Sequence, residues 1–132
     1  MRANGQANFY KETFMPIRNA LASLAVTDLE SALPWYERLL GRPADSRPMD
    51  EVAEWKFEGG GWLQVYQRPK RAGLGSMTLA VTDIDEQKRY LEECGIVIGE
   101  ESTGPRFKTL MITDPAGNHI AFAQALDPDH AQ

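Results

Sequence analysis

The chain has 132 residues, 42% of them apolar and 25% charged, close to the globular average, which excludes a disordered or fibrous protein. Its 14 Lys and Arg against 19 Asp and Glu give a formal charge of −5, so nucleic acid and anionic membrane surfaces are poor partners. One cysteine, Cys94, rules out an intrachain disulfide and a thiolate zinc cluster; no run approaches the ~20 apolar residues of a membrane span, and a cytoplasmic setting is expected.

Residues 1–18 read as an N-terminal arm. Its start is polar and lacks the apolar core of a secretory signal, while Phe9, Tyr10 and Phe14 can dock it on the body or on a second subunit. Residues 19–67 then form a first unit. Ala20 to Val26 reads as a strand. Leu29, Ala32, Leu33, Tyr36 and Leu40 share one helix face, and Gly41 stops that helix. A start at Ser31 would put Pro34 in the first turn, where a missing N–H costs little. Pro43 to Pro48 is a short edge strand; Val52 to Phe57 and Trp62 to Tyr66 flank a Gly-rich hairpin turn.

Residues 68–75 are a linker with Pro69, Gly73 and Gly75, and residues 76–125 repeat the first unit. Leu24-Ala25-Val26-Thr27-Asp28-Leu29 recurs as Leu79-Ala80-Val81-Thr82-Asp83-Ile84, an offset of 55 with five of six residues identical. Met77 to Val81 is the strand, Ile84, Leu91 and Cys94 mark the helix, and Gly95 ends it. Asp28 and Asp83 are expected helix N-caps. Ile96 to Ile98, Phe107 to Ile112 and His119 to Ala123 are the remaining strands, the last two joined by the turn Asp114-Pro115-Ala116-Gly117-Asn118. Residues 126–132 are a tail. The fold class is α+β, each half reading βαβββ. Cys94 reads as a small buried hydrophobe.

Three features resemble the vicinal oxygen chelate superfamily, the glyoxalase, bleomycin-resistance and extradiol-dioxygenase group. They are the strand-Asp-Leu opening with Pro34-Trp35-Tyr36-Glu37-Arg38-Leu39-Leu40-Gly41, the duplicate opening at Asp83, and the turn Asp114-Pro115-Ala116-Gly117-Asn118-His119-Ile120. The resemblance spans roughly Ala20 to Gln124. It implies two βαβββ modules curled into a half-open mixed β-barrel, helices outside and a small-molecule cavity inside. Period-two alternation then puts Ala22, Leu24, Val26, Leu63 and Val65 on the core face. The cavity face receives Leu21, Ser23 and Ala25, then Trp62, Gln64 and Tyr66. From the second module it receives Ser76, Thr78, Ala80, Phe107, Thr109, Met111, His119, Ala121 and Ala123.

The resemblance also implies four metal-ligand positions, held here by Leu21, Gln64, Ser76 and Ala121. Leu and Ala have no donor atom, and Ser and Gln are poor ligands for a divalent transition metal. Only two histidines exist, His119 and His130, so the metal chemistry is not expected to carry over and no cofactor is expected. His119 with Glu54 or Glu58, or a Ser23 or Ser76 dyad with His119, are the alternative catalytic readings. What remains is a surface of Trp62, Tyr66, Phe107 and Met111, with Gln64, Ser76 and His119 as polar contacts and Trp55 joining if its strand face turns inward. That pattern, with the resemblance to the drug-sequestering branch, points to a metal-free protein that binds or sequesters a planar hydrophobic molecule; the strand edges of half-open sheets and the aromatics of the arm point to a homodimer. The rivals are a divergent lyase, isomerase or dioxygenase, and a scaffold with a filled cavity.

Overall fold

The computed structural model describes residues 16–126. Phe9, Tyr10 and Phe14 of the arm, and His130 of the tail, lie outside the described residues. The first module comprises β1 (Leu21–Val26), α1 (Leu29–Leu40), β2 (Ser46–Met49), β3 (Val52–Lys56) and β4 (Trp62–Gln67). After one 3-10 turn, Pro69–Arg71, the second comprises β5 (Ser76–Ala80), α2 (Ile84–Glu93), β6 (Glu101–Thr103), β7 (Phe107–Thr113) and β8 (His119–Ala125). Each module makes a four-stranded mixed sheet, ordered β1-β4-β3-β2 and β5-β8-β7-β6. The first strand of each runs parallel to the last, and the other pairs are antiparallel.

Both helices begin as the repeat requires. The Asp28 carboxylate accepts from the Ser31 amide at 3.0 Å and the Ser31 hydroxyl at 2.6 Å, which holds it below the usual carboxylate range. Asp83 accepts from the Glu86 amide at 3.1 Å. A second cap comes from the last strand of each module: Gln67 Oε1 accepts from the Leu29 amide at 2.9 Å, and Gln124 Oε1 from the Ile84 amide at 2.8 Å. The Asp therefore starts α1 at Leu29, not Ser31. Pro34 consequently lies inside the helix, on its exposed side, where water can reach the carbonyl it leaves without a partner. Gly41 closes α1 at φ 75°, its amide bonded to the Glu37 carbonyl. Cys94 is half-buried.

One core fills the space between helices and sheets. Leu24, Leu29, Tyr36, Leu63, Leu91 and Ile120 are all within it and nearly inaccessible. Trp55 joins them rather than the cavity face. It pairs in register with Leu63, is 0% exposed, and donates its indole N–H to the Arg42 carbonyl at 3.1 Å. A second correction concerns residues 96–98, which form no strand. Ile96 enters the core after Gly95, whereas Val97 is 85% exposed; the edge strand begins only at Glu101. An edge strand wetted on both sides tolerates Glu-Ser-Thr and gains nothing from Ile-Val-Ile.

The two sheets meet along β1 and β5, one edge strand of each, with β2 and β6 at the outer edges. A buried polar cluster fastens this seam. Asp114 Oδ1 accepts from the Ala116 and Asn118 amides at 2.9 and 2.8 Å. Its Oδ2 accepts from Tyr36 Oη at 2.6 Å and Asn118 Nδ2 at 2.9 Å. Asn118 also donates to the Ala25 carbonyl at 2.8 Å and accepts from the Gly75 amide at 2.9 Å. Burial, then the bond to Asp114, push the Tyr36 phenol far above the ordinary tyrosine range. The result is the half-open α+β barrel, its helices packed on one face and the other face free of them.

Candidate inner-face site

On the helix-free face of the first sheet, strand register sorts the side chains into rows. Leu21, Trp62 and Lys56 form one; Ala25, Tyr66 and Val52 form another. Between them Ser23, Gln64, Glu54 and Ser46 cross all four strands. This middle row is hydrogen-bonded end to end. Ser23 Oγ donates to Gln64 Oε1 at 3.3 Å, Gln64 Nε2 donates to Glu54 Oε2 at 3.0 Å, and Ser46 Oγ donates to Glu54 Oε1 at 3.2 Å. The Lys56 ammonium lies 4.7 Å from the centre of the Trp62 ring. Trp62, Gln64 and Tyr66 are each half-buried, so the face offers two aromatic side chains with an amide between them.

The second sheet carries the matching rows Ser76, His119 and Thr113, then Thr78, Ala121 and Met111. Phe107 sits at its outer end, 40% exposed. The expected site residues thus fall into two groups, one per sheet. Met111 and His119 also line a groove of about 660 Å³ that runs round to Trp35 and Arg38 of α1 and to Ile96 and Glu100. Ser76 and His119 are register partners, yet no hydrogen bond joins them; Ser23 is engaged by Gln64 instead. Neither serine is therefore set up as a nucleophile with a base.

Leu21 and Gln64 lie on the first sheet's inner face, and Ser76 and Ala121 on the second's. Among the described residues no three His, Cys, Asp or Glu side chains gather as a metal would need. This donor set does not fit a transition metal. Ser46 and Glu54 are the neighbours that strand alternation alone did not bring to this row. Hairpin register was the available signal, because the turn at Glu58–Gly61 fixes Glu54 opposite Gln64.

The glyoxalase-like domain family matches residues 22–123. A glyoxalase/bleomycin resistance protein from Catenulispora acidiphila DSM 44928 is 33% identical, with a TM-score of 0.75 over 82% of this chain and 98% of that one. TnmS3, an antibiotic binding protein from Streptomyces sp. CB03234, is 24% identical, with a TM-score of 0.73 over 84% of this chain and 98% of that one. A lactoylglutathione lyase from Agrobacterium tumefaciens is 19% identical, with a TM-score of 0.68 over 83% and 94% of the two chains. These last two share the fold, one being named for binding and the other for catalysis, so the fold alone does not choose between those roles. No curated protein sequence matches this chain. Among the described residues no helix is long and apolar enough to cross a membrane. Repeat, seam, topology and family match agree: the chain belongs to the glyoxalase/bleomycin resistance family of the vicinal oxygen chelate superfamily.

Proposed function

We propose that this protein binds a planar, largely apolar small molecule on its inner face and breaks no bond in it with a metal. The observation that carries this reading is the Trp62-Gln64-Tyr66 stripe on β4, half-buried and facing away from the core. Two rings and an amide two residues apart reach one flat ligand, and ring contacts add about 0.5–1.5 kcal/mol beyond area burial. Loss of donor atoms at Leu21 and Ala121 supports binding over metal-dependent lyase or dioxygenase chemistry. The antibiotic binding protein TnmS3 shows that this fold is used for binding elsewhere. A homodimer, covering exposed apolar side chains such as Leu21 and Phe107, belongs to the same proposal. Light scattering that finds only monomer at high concentration removes that part.

The test is Trp62→Ala against Trp55→Ala, each measured for unfolding and for affinity toward fused three-ring aromatics. Trp62→Ala should weaken binding about tenfold with little loss of stability. Trp55→Ala should cost roughly 3–5 kcal/mol, because that ring is core. A Trp62→Ala variant as unstable as Trp55→Ala, with no aromatic bound by the parent, favours the scaffold reading. One tightly held transition metal per chain favours the enzyme reading.

A further inference from the structure

We infer that Glu54 makes the inner face of the first sheet selective for planar ligands carrying a protonated amine. The inference rests on the binding reading above and names the ligand's polar group. Glu54 stands in the middle row, half-buried, between the rows of Trp62 and Tyr66. Both its oxygens are fixed by neutral donors, Ser46 Oγ on one and Gln64 Nε2 on the other. Its charge has no ion-pair partner among the described residues.

The neighbouring cations are committed elsewhere. Lys56, two positions on and on the same face, lays its ammonium over Trp62. Arg47 turns to the helix side, bonding Glu30 at 3.2 Å and the Val52 carbonyl at 3.2 Å. A carboxylate accepts about four hydrogen bonds, so Glu54 keeps acceptor capacity after its two present bonds. Glu54 lies one strand over from Gln64, about 4.8 Å away, and its row lies two residues, about 7 Å, along the strands from each row that carries a ring, within the span of one fused-ring ligand. A ligand that stacks on Trp62 or Tyr66 and carries an ammonium therefore gains a charge-assisted bond, while an anionic analogue meets repulsion. Cation attraction by the Tyr66 ring works in the same direction, whereas the Trp62 ring already carries Lys56.

The experiment compares three probes of one shape on the whole protein: the anthracenemethylammonium cation, neutral anthracenemethanol, and the anion anthracenecarboxylate. Fluorescence titration should find the cation bound at least about tenfold more tightly than the anion, with the neutral ring between them. Glu54→Gln, which keeps the size and an acceptor for Gln64, should bring cation and anion to within about threefold. In the parent, the cation's advantage should shrink as salt is raised, a readout that needs no variant. Equal binding of cation and anion by the parent overturns the inference, as does a cation preference that survives in Glu54→Gln; in both cases a bound neutral ring leaves the binding reading standing. Failure of the neutral ring and the cation to bind at all removes the binding reading and this inference with it.

Discussion

At one end of the seam the turn Asp114–Asn118 of the second module docks on α1 of the first. At the other end the turn Phe57–Gly61 of the first module faces β5 and Gln87 of the second. The repeat makes these two corners equivalents: Asp114 and Asn118 correspond to Phe57 and Gly61 at an offset of 57, and Tyr36 corresponds to Leu91 at 55. One glycine is common to both turns, Gly60 at φ 102° matching Gly117 at φ 106°. Yet one corner is a saturated polar cluster, while the other, among the described residues, has none and packs Leu40, Phe57 and Phe122 beside Glu58 and Gln87. The polar corner is bordered by grooves of about 290 and 660 Å³ that share Pro115, the other corner by one of about 760 Å³. The difference lies in side chains and not in backbone. Asn118 fills its corner and bridges both sheets, whereas Gly61 reaches nothing, and Asn19 instead caps the nearby Ala20 amide at 2.8 Å and donates to the Gly60 carbonyl. At the polar corner the contact is so close that a Cβ on Gly73 would lie 2.2 Å from the Ala116 carbonyl oxygen. The repeat gives two equivalent corners, and the polar lock is built at one of them, beside a hydrophobic core common to both modules.

The largest effect should come from removing that lock. Asn118→Ala leaves the Gly75 amide and the Ala25 carbonyl unsatisfied at a fully buried place and strips one donor from Asp114. Each orphaned group costs about 1–3 kcal/mol, so a loss of about 4 kcal/mol is expected. Urea unfolding measures it. A loss below about 1 kcal/mol would mean the two corners are energetically alike and the polar cluster is incidental.

A smaller effect should follow from Tyr36→Phe, which makes the corner more like its Leu91 counterpart. Losing the hydroxyl to Asp114 should cost about 2 kcal/mol near neutral pH. The pH dependence gives a second readout. Folding raises the Tyr36 phenol, so the folded state holds its proton more tightly than the unfolded one. Its contribution is intact below the ordinary tyrosine value near 10 and fades as pH rises past it, because the unfolded chain ionises first. The stability gap between parent and Tyr36→Phe should therefore narrow in alkali. Tyr90 is raised too, but it is present in both proteins and cancels. A gap that stays constant to high pH breaks the link between this phenol and the lock.

Much of this architecture was legible because it repeats. Asp28 and Asp83 announced both helices, and the alternation in Leu63, Gln64 and Val65 assigned faces that register bears out. What was hidden needed partners from far along the chain. Trp55 reads as well for a ligand face as for a core, and only its pairing with Leu63 decides. The lock joins residues 78 positions apart, Tyr36 and Asp114, which no local pattern couples. Gln67 and Gln124 each fall one residue past the expected strand, although they cap helices 38 and 40 positions away. The site was half legible: the aromatic stripe shows in period two, but the charge beside it appears only when hairpin register is known.

The smallest expected effect has the opposite sign, and it tests the open corner itself. Gly61 is not among the positive-φ glycines, and a Cβ added there would meet nothing within 4 Å. Its carbonyl still accepts from the Phe57 amide at 2.9 Å, a backbone bond that Ala retains. Gly61→Ala should therefore lose nothing in the folded state while restricting the unfolded chain, raising stability by about 0.4–1 kcal/mol. At the equivalent place, Asn118→Ala lowers it. Thermal and urea unfolding of the two variants side by side should thus move in opposite directions. A Gly61→Ala protein destabilised by more than about 1 kcal/mol would show that the Gly61 corner is closed in solution. Its groove would then be an occupied surface, and the two corners would differ in what covers them instead of in whether they are covered.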